Sequence, residues 1–351
     1  MSAKRPHLRR LSDDAWLAPF LPALRARGER AAAAAQRLTG GRMSLADFAA
    51  GHEYFGLHPA PDGWVFREWA PNATALYLIG EFSAWQPAEP FALRRLNEQG
   101  VWELRLPAAA LRHGDLYRLR LRWPDGEGDR IPAYARRVVQ DPQTHIFNAQ
   151  VWRPDPPYVW KHAPPPPPPF LLIYEAHPGM ALEKPAVGTY AEFRREVLPR
   201  IVAAGYNAVQ LMAVMEHPYY GSFGYHVSNF FAASSRFGTP DELKELIDAV
   251  HGAGLLFIMD LIHSHAVNNE VEGLSRFDGT QIEVPTAALT TTRPAPIVLP
   301  KNPPKVAPAN DLDEALSLAG PAEKALVEAY EAAESKYRAC VQRYMEKNDP
   351  S

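Results

Sequence analysis

A run of six consecutive prolines at residues 164–169 divides this chain into two parts of different character. Proline fixes φ and has no amide hydrogen, so such a run can form neither a helix interior nor a central strand, and it favours a stiff polyproline conformation. Before the run, apolar residues recur with a period of two. After it, they form continuous blocks alternating with three- and four-residue spacings. We therefore predict different folds on the two sides, joined by a proline-rich linker at residues 156–169.

Composition limits the classes of protein to be considered. The 351 residues are 46% apolar, which is enough for a sizeable core. The net charge is -3, with 37 basic and 40 acidic residues well mixed, so we expect neither nucleic acid nor a membrane as partner. Cys340 is the single cysteine, and no secretory signal or long apolar segment is evident. These features predict a cytoplasmic location.

The N-terminal part of the chain contains two predicted domains. Residues 1–50 are predicted to be a helical segment, because strong helix formers at residues 31–38 are followed by Gly40 and Gly41. Residues 51–155 contain several short segments of period two with turn signals between them, which predicts a β-sandwich. Its clearest strand alternates Leu119, Leu121 and Trp123 with arginines at positions 118, 120 and 122, which predicts a half-buried strand whose arginine face is solvated.

Residues 170–281 follow a strand–helix–strand–helix–strand pattern. Apolar strands are predicted at residues 170–176, 206–214 and 255–262. Two helices begin at Thr189 and Thr239, each with a glutamate three residues later, which is the spacing of a capping box. The pattern predicts a parallel sheet covered by helices, amounting to about three βα units of an incomplete (β/α)8 TIM barrel. Residues 282–351 are predicted to be a partly disordered tail with a helix at residues 321–345.

Seven motifs show a resemblance to a known family. The chain is similar to the eukaryotic-type 1,4-α-glucan branching enzymes of the α-amylase superfamily from about residue 13 to Gln281. Residues 207–226, N-A-V-Q-L-M-A-V-M-E-H-P-Y-Y-G-S-F-G-Y-H, are the most specific match. The other motifs are F-R-E-W-A-P at residues 66–71, G-E-F-S-A-W at 80–85, D-R-I-P-A-Y at 129–134, I-Y-E-A-H at 173–177, V-G-T-Y at 187–190 and D-L-I-H-S-H at 260–265.

The resemblance implies an enzyme that cleaves α-1,4 bonds in glycogen or starch and transfers the released chain to a 6-hydroxyl group. It implies an α-glucan partner, no cofactor and no metal site. It also implies a carbohydrate-binding module before the barrel, in which Trp85 would lie against the sugar. The alternatives for Trp85 are that it packs in the core or against the barrel. Three further tryptophans, Trp64, Trp69 and Trp102, are predicted to be core residues because they occupy apolar strand faces.

Three residues near predicted strand ends are candidates for substrate binding. By the resemblance, Tyr225 stacks on the sugar at the cleavage subsite, His265 donates to one of its hydroxyl groups, and Asp260 orients its neighbours. Barrel enzymes build their active sites at the carboxyl ends of the strands, which agrees with these positions. The alternative for His265 is a loop histidine with a purely structural role. His217 and His226, in the second loop, are expected near the same cleft.

The catalytic residues of this chemistry are not predicted in the chain. Retaining glycoside transfer requires a carboxylate nucleophile and a carboxylic acid, which in this family follow the fourth and fifth barrel strands. No such strands are predicted, so we expect an inactive portion of the enzyme. Asp278 lies in an R-F-D-G sequence typical of the nucleophile, but it follows His265 too closely, and we predict a loop residue. The alternatives are a non-catalytic glycogen- or starch-binding protein and a related debranching enzyme.

A three-stranded part of a barrel has physical consequences. A strand at the edge of a sheet exposes unpaired amide and carbonyl groups, and an uncovered apolar face favours association. We therefore expect self-association through the open barrel edge.

Overall fold

The computed structural model describes residues 16–262 and 264–280, which fall into two compact units, residues 16–51 and residues 52–280. The predicted tail, with its helix at residues 321–345, lies outside the described residues.

The first unit is helical, as the sequence predicts. Helix α1 (Leu21–Thr39) has Pro22 in its first turn and ends at Gly40, whose φ of 60° is a conformation that glycine adopts without steric cost. Helix α2 (Leu45–Phe48) begins with a capping box, in which the amide of Asp47 donates to Ser44 Oγ over 3.1 Å. Helix α3 (Gly51–Tyr54) leads into the second unit.

The N-terminal half of the second unit is the predicted β-sandwich. Its strands are β1 (Gly56–Ala60), β2 (Gly63–Trp69), β3 (Ala75–Gly80), β4 (Arg94–Arg95), β5 (Val101–Pro107), β6 (Leu116–Trp123), β7 (Gly126–Arg130), β8 (Val138–Gln140) and β9 (Phe147–Gln150). The first sheet has the order β1-β2-β5-β4 and the second has β3-β6-β9-β8, with β7 paired to β6. All pairings in both sheets are antiparallel.

Residues from both sheets fill the sandwich core. Trp64 and Trp102 are buried there with Phe66, Leu78 and Leu119, so the prediction that these two tryptophans are core residues is confirmed. The period-two pattern explains this directly, because alternate residues of a strand point to the same face.

Two predictions about the sandwich are wrong. Trp69, at the end of β2, is 50% exposed, because its indole lies at the surface and donates to the carbonyl of Gln99 over 2.8 Å. Arg118 is buried rather than solvated. Its guanidinium turns along β9, where Nε donates to Asn148 Oδ1 over 2.9 Å and to the carbonyl of Phe147. Alternation indicates which face a side chain starts from, but not where a long side chain ends.

The C-terminal half contains the predicted parallel sheet. Its strands are β10 (Ile173–Ala176), β11 (Ala208–Leu211) and β14 (Leu256–Met259), in the order β10-β11-β14. A small antiparallel pair, β12 (Met215–Glu216) and β13 (Asn229–Ala233), lies in the connection after β11. This order is that of consecutive strands in an α-amylase-type barrel, so the incomplete barrel predicted from the sequence is observed.

The helices between these strands begin as predicted. Thr189 caps α4 (Tyr190–Glu192) and Thr239 caps α6 (Pro240–Gly252), each in a capping box with the glutamate three residues later. The first helix continues as a π-helical turn (Phe193–Val197) and then as α5 (Leu198–Ala203). Pro199 accounts for this change of winding, since its ring cannot accommodate the carbonyl four residues earlier and it has no amide to donate.

The predicted linker is partly anchored. Asp248 is a buried carboxylate on α6, and it accepts hydrogen bonds from Tyr158 Oη over 2.7 Å and from the amide of His162 over 2.8 Å. Burial alone would raise the pKa of this carboxyl group, but the hydrogen bonds that it accepts lower the pKa below its usual value. Residues 158–162 are therefore fixed to the barrel portion before the prolines begin.

The first parallel strand is shorter than predicted. It starts at Ile173 instead of Phe170, and the side chain of Phe170 is 66% exposed. Leu171 and Leu172 are also exposed. Strand β10 is an edge of the described sheet, so no neighbouring strand on its outer side extends the ladder or covers these residues.

Candidate functional site

The candidate site lies where the three parallel strands end. The register pairs Ala176 with Leu211 and Leu211 with Met259, so all three carboxyl ends lie side by side. The loops that follow therefore emerge at the same edge of the sheet, which is the place where α/β barrels form their active sites.

Tyr225 and Asp260 are brought into contact, although 35 residues separate them. Tyr225 Oη donates to Asp260 Oδ2 over 2.9 Å. Burial, followed by the hydrogen bond to this carboxylate, raises the pKa of Tyr225 to about 12. The phenol therefore stays protonated and keeps donating at any physiological pH.

The other oxygen of Asp260 is bound by a residue that the sequence did not single out. Gln210, on β11, donates through Nε2 to Asp260 Oδ1 over 2.8 Å and contacts Glu175 Oε1 at 3.3 Å. Glu175 and Gln210 are register partners on adjacent strands. The signal in the sequence was the single polar residue within each otherwise apolar strand, because a strand expected to be covered on both faces has no general use for one. Both oxygens of Asp260 thus accept hydrogen bonds, which suits a residue that orients its neighbours.

His265 completes the predicted group. Its Nε2 lies 2.7 Å from the carbonyl oxygen of Tyr225, and its Nδ1 lies 2.9 Å from Ser264 Oγ. A carbonyl only accepts, so Nε2 carries a proton and donates. In the neutral ring Nδ1 then accepts from the serine hydroxyl. His265 Nε2, which the resemblance assigns as a donor to a sugar hydroxyl, therefore donates to the backbone carbonyl of Tyr225 in this structure.

The histidines near the site differ in their placement. His226 is exposed, and its ring centroid lies 6.4 Å from that of His265, so it lines the site as expected. His217 is fully buried, with Nδ1 2.9 Å from the carbonyl of Met215, and does not line the site; that expectation is wrong. The cause is that His217 directly follows β12, and its ring packs beside that of buried Phe237, with centroids 6.1 Å apart. His263 lies outside the described residues.

A buried acid supports this second loop. Glu216 is fully buried and accepts from the amides of Ser235 over 2.7 Å and His217 over 3.1 Å. Burial raises the pKa of Glu216, while the hydrogen bonds that it accepts act in the opposite direction. Glu216 thereby joins the two ends of the loop that carries Tyr225.

Trp85 projects from the sandwich on an unusual turn. Ala84 and Trp85 have φ values of 51° and 59°, in the left-handed region that side chains other than glycine rarely adopt. The side chain of Trp85 is half-buried. Trp85 is therefore not one of the fully buried residues of the sandwich core, and its proposed contact with sugar stays a prediction.

A second aromatic surface was not predicted. Trp69 borders a groove of about 490 Å³ with Phe55, Tyr134 and Phe231. The rings of Phe55 and Tyr134 are stacked with centroids 5.2 Å apart, and those of Tyr134 and Phe231 with centroids 4.6 Å apart. The signal in the sequence was ambiguous, because an aromatic residue at a strand end serves either a core or a surface.

Asp278 lies in a turn, as predicted, and is 4% exposed. Its carboxylate accepts from the amide of Asn72 on the sandwich over 2.8 Å and from that of Thr280 over 3.2 Å.

Residues 16–262 and 264–280 contain no group of three or more metal-ligating side chains that could hold a metal ion. Within the same residues, no helix is both long and apolar enough to cross a membrane.

Comparison with known proteins agrees with this architecture. Residues 54–142 match the family model of carbohydrate-binding module 48 (isoamylase N-terminal domain), and residues 196–276 match that of the α-amylase catalytic domain. The chain thus combines a carbohydrate-binding module with part of an α-amylase-type catalytic domain. It is 44% identical over 276 residues to a 1,4-alpha-glucan-branching enzyme of Dictyostelium discoideum. It belongs to the 1,4-α-glucan-branching enzyme family.

The chain spans less than half the length of these relatives. The Dictyostelium match covers 77% of this chain and 40% of the relative. The 1,4-alpha-glucan-branching enzyme 2-2, chloroplastic/amyloplastic, of Arabidopsis thaliana is 49% identical over 67% of this chain and 30% of its own length. The enzyme of Equus caballus is 38% identical over 78% of this chain and 40% of its own.

Solved structures share the fold at low sequence identity. A pullulanase from Paenibacillus barengoltzii matches with a TM-score of 0.53 and 20% identity over 70% of this chain and 44% of its own. A putative α-amylase from Salmonella typhimurium matches with a TM-score of 0.51 and 22% identity over 64% of this chain and 35% of its own. At these identities the likeness shows the fold alone.

Proposed function

We propose that residues 52–280 bind α-glucan at the carboxyl end of the parallel sheet, as part of an enzyme that cleaves an α-1,4 bond and transfers the chain to a 6-hydroxyl group. The observation that carries this proposal is the convergence of Tyr225, Asp260 and His265. The identity of 38–49% to branching enzymes supports the same activity and does not favour the debranching alternative.

The proposed roles follow from the geometry. A sugar ring has an apolar face of C–H groups. The hydrogen bond from the hydroxyl of Tyr225 to Asp260 fixes the position of the aromatic ring, against which such a sugar face can stack. Asp260 holds the phenol and the amide of Gln210 together. A sugar hydroxyl would replace the carbonyl of Tyr225 as the acceptor for His265 Nε2.

Neither Asp260 nor Asp278 is proposed as the nucleophile. Attack on an anomeric carbon needs a carboxylate oxygen that is free to approach the sugar. Both oxygens of Asp260 accept hydrogen bonds from neighbouring side chains, and Asp278 is buried against Asn72. We therefore propose that residues 52–280 bind the glucan without breaking its glycosidic bond.

The test is Tyr225→Phe, which keeps the ring and removes the hydrogen bond to Asp260. We expect the affinity for maltoheptaose, measured by isothermal titration calorimetry on the full chain, to fall about tenfold, since a hydrogen bond to a charged group contributes about 1.5–3 kcal/mol. Tyr206→Phe is the matched control, because Tyr206 lies at the opposite end of the sheet, before β11. Equal affinities for the wild type and Tyr225→Phe would refute the proposal.

We propose as a second candidate function that the sandwich binds glycogen or starch without catalysis, and that Trp69 contributes in addition to Trp85. An exposed indole held by a hydrogen bond beside an aromatic groove is suited to a sugar face, because little side-chain entropy is lost on binding.

The two tryptophans can be separated by co-sedimentation with glycogen. We expect Trp69→Ala to weaken binding by about fivefold or more and Trp85→Ala to weaken it independently, since the loss of one stacking ring costs about 1 kcal/mol or more. If only Trp85→Ala reduces co-sedimentation, the groove is not a binding surface. Unchanged binding in both variants would remove this candidate function.

We also propose that the chain self-associates through the open edge at β10, where Phe170, Leu171 and Leu172 are exposed. Size-exclusion chromatography with light scattering is expected to show a dimer or larger species. Phe170→Glu should shift the protein to the monomer, because a charge at an edge opposes pairing. A compact wild-type monomer would contradict this proposal.

A cytoplasmic location is proposed from Cys340, the single cysteine of the sequence, since a thiol without a second cysteine to pair with suits a reducing compartment.

A further inference from the structure

The loop after the third parallel strand runs from the candidate sugar site to the sandwich. Residues 266–280 contain neither helix nor strand. Side-chain contacts therefore decide where this loop lies, and four of its side chains at positions 266, 275, 277 and 278 are buried. A loop without backbone ladders is mobile unless such contacts fix it.

At its far end the loop is fixed to the sandwich by Asp278. The carboxylate accepts from the backbone amide of Asn72, and the side-chain amide of Asn72 also donates to the carbonyl of Asp278 over 2.9 Å. These two hydrogen bonds, both donated by Asn72, join residues that are 206 positions apart in the chain. We call them the Asp278–Asn72 clamp.

Neighbouring residues surround the clamp. Phe277 is buried in the core of the sandwich, and the guanidinium of Arg130 donates to the carbonyl of Arg276 over 3.2 Å. Gly279 passes so close to Trp123 that an added Cβ would lie 2.4 Å from the indole. The loop thus inserts into the sandwich at this end.

The near end of the same loop holds the candidate site. His265 contacts the carbonyl of Tyr225, and the amide of Val267 donates to the carbonyl of Val227 over 2.9 Å. These two contacts align the third loop with the second loop.

We propose that Asp278 is a positioning residue, which clamps the third loop to the carbohydrate-binding module and thereby holds His265 against Tyr225. This inference rests on the proposed sugar site. It gives the R-F-D-G sequence a role other than that of a nucleophile. It also makes the module a structural part of the sugar site, since the clamp's partner, Asn72, belongs to the module.

The test compares Asp278→Ala with Asp278→Asn and with Asp62→Ala in the full chain. Asp62 is an exposed carboxylate of the same module, so its loss controls for charge. Hydrogen exchange is read at the amide of Val267 and at those of β2 and β5. Affinity for maltoheptaose is measured on the same samples.

We expect Asp278→Ala to speed exchange at Val267 by about tenfold, since two hydrogen bonds to a buried carboxylate are lost. Exchange in β2 and β5 should not change, and the affinity for maltoheptaose should fall. Asp278→Asn should restore most of the protection, because its amide oxygen still accepts from Asn72. Asp62→Ala should behave as wild type.

Three outcomes would overturn the inference. One is exchange at Val267 in Asp278→Ala that equals that in Asp62→Ala. Another is faster exchange throughout β2 and β5 in both Asp278 variants, which would mean general loss of the fold. The third is a released loop with unchanged maltoheptaose affinity in a protein where Tyr225→Phe lowers it. If Tyr225→Phe has no effect either, the proposed sugar site has failed, and exchange at Val267 alone decides whether the clamp exists.

Discussion

Gly224→Ala is expected to lower the free energy of unfolding by about 3 kcal/mol and to abolish the contact between Tyr225 and Asp260. Gly224 has a φ of 89°, and a Cβ at this position would lie 2.0 Å from the carbonyl oxygen of Ala213. The atom met is backbone, so no side-chain rotation can relieve the clash. The second loop must move, and Tyr225 is the next residue along it.

Gly205→Ala is the matched control for this effect. Gly205 has a similar φ of 82°, but within the described part of the chain an added Cβ has no neighbour within 4 Å. Gly205→Ala should therefore lower the free energy of unfolding by only about 1 kcal/mol, the strain of placing alanine in a left-handed backbone conformation. Urea unfolding followed by tryptophan fluorescence gives both values, and calorimetry with maltoheptaose gives the affinities. Equal losses of stability in the two variants would show that the close approach to Ala213 has no energetic consequence.

The free energy of unfolding is also expected to depend strongly on pH through one buried acid, Glu68. Glu68, on β2, is fully buried, and burial raises its pKa to about 7, although the amides of Trp69 and Ala133 each donate to it over 3.0 Å. The folded chain therefore keeps this proton between about pH 4.5 and 7, where the unfolded chain has released it. Stability contributed by the protonated group falls as the pH rises through this window and levels off above it. The expected loss is about 3 kcal/mol.

Urea unfolding at a series of pH values from about 5 to 8 tests this slope. Glu68→Gln carries no titrating proton, so its stability should vary much less across the window. Glu98→Gln, at an exposed carboxyl group of the same sandwich, should retain the wild-type slope. If wild type and Glu68→Gln respond identically to pH, Glu68 is not the group responsible.

Much of the fold could be predicted because it depends on local physical chemistry. The capping boxes at Thr189 and Thr239 need only two residues at a fixed spacing, and both helices begin where predicted. The period of two places Trp64 and Trp102 in the sandwich core. The ends of the strands are harder to predict from the sequence, because they depend on pairing with neighbouring strands. For that reason Phe170 lies outside β10, which begins at Ile173.

The sequence proposes residues for the candidate site but not the contacts between them. Tyr225, Asp260 and His265 were identified by their resemblance to a family and by their positions at strand ends. Gln210 was missed, since its importance comes from standing beside Glu175 and Asp260 on neighbouring strands. Trp69 was assigned to the core, because alternation along a strand does not show whether a sheet continues past its last residue.

The sequence by itself determined the order of domains, the parallel and antiparallel character of the sheets and the family, because each depends on period, on caps or on motifs along the chain. Only the tertiary structure decided that Asp278 meets Asn72, that Arg118 turns inward and that His265 Nε2 is held by Tyr225. The physical reason is the same in each case. Such contacts join residues far apart in the chain, and their geometry follows from how two sheets pack and not from any local spacing.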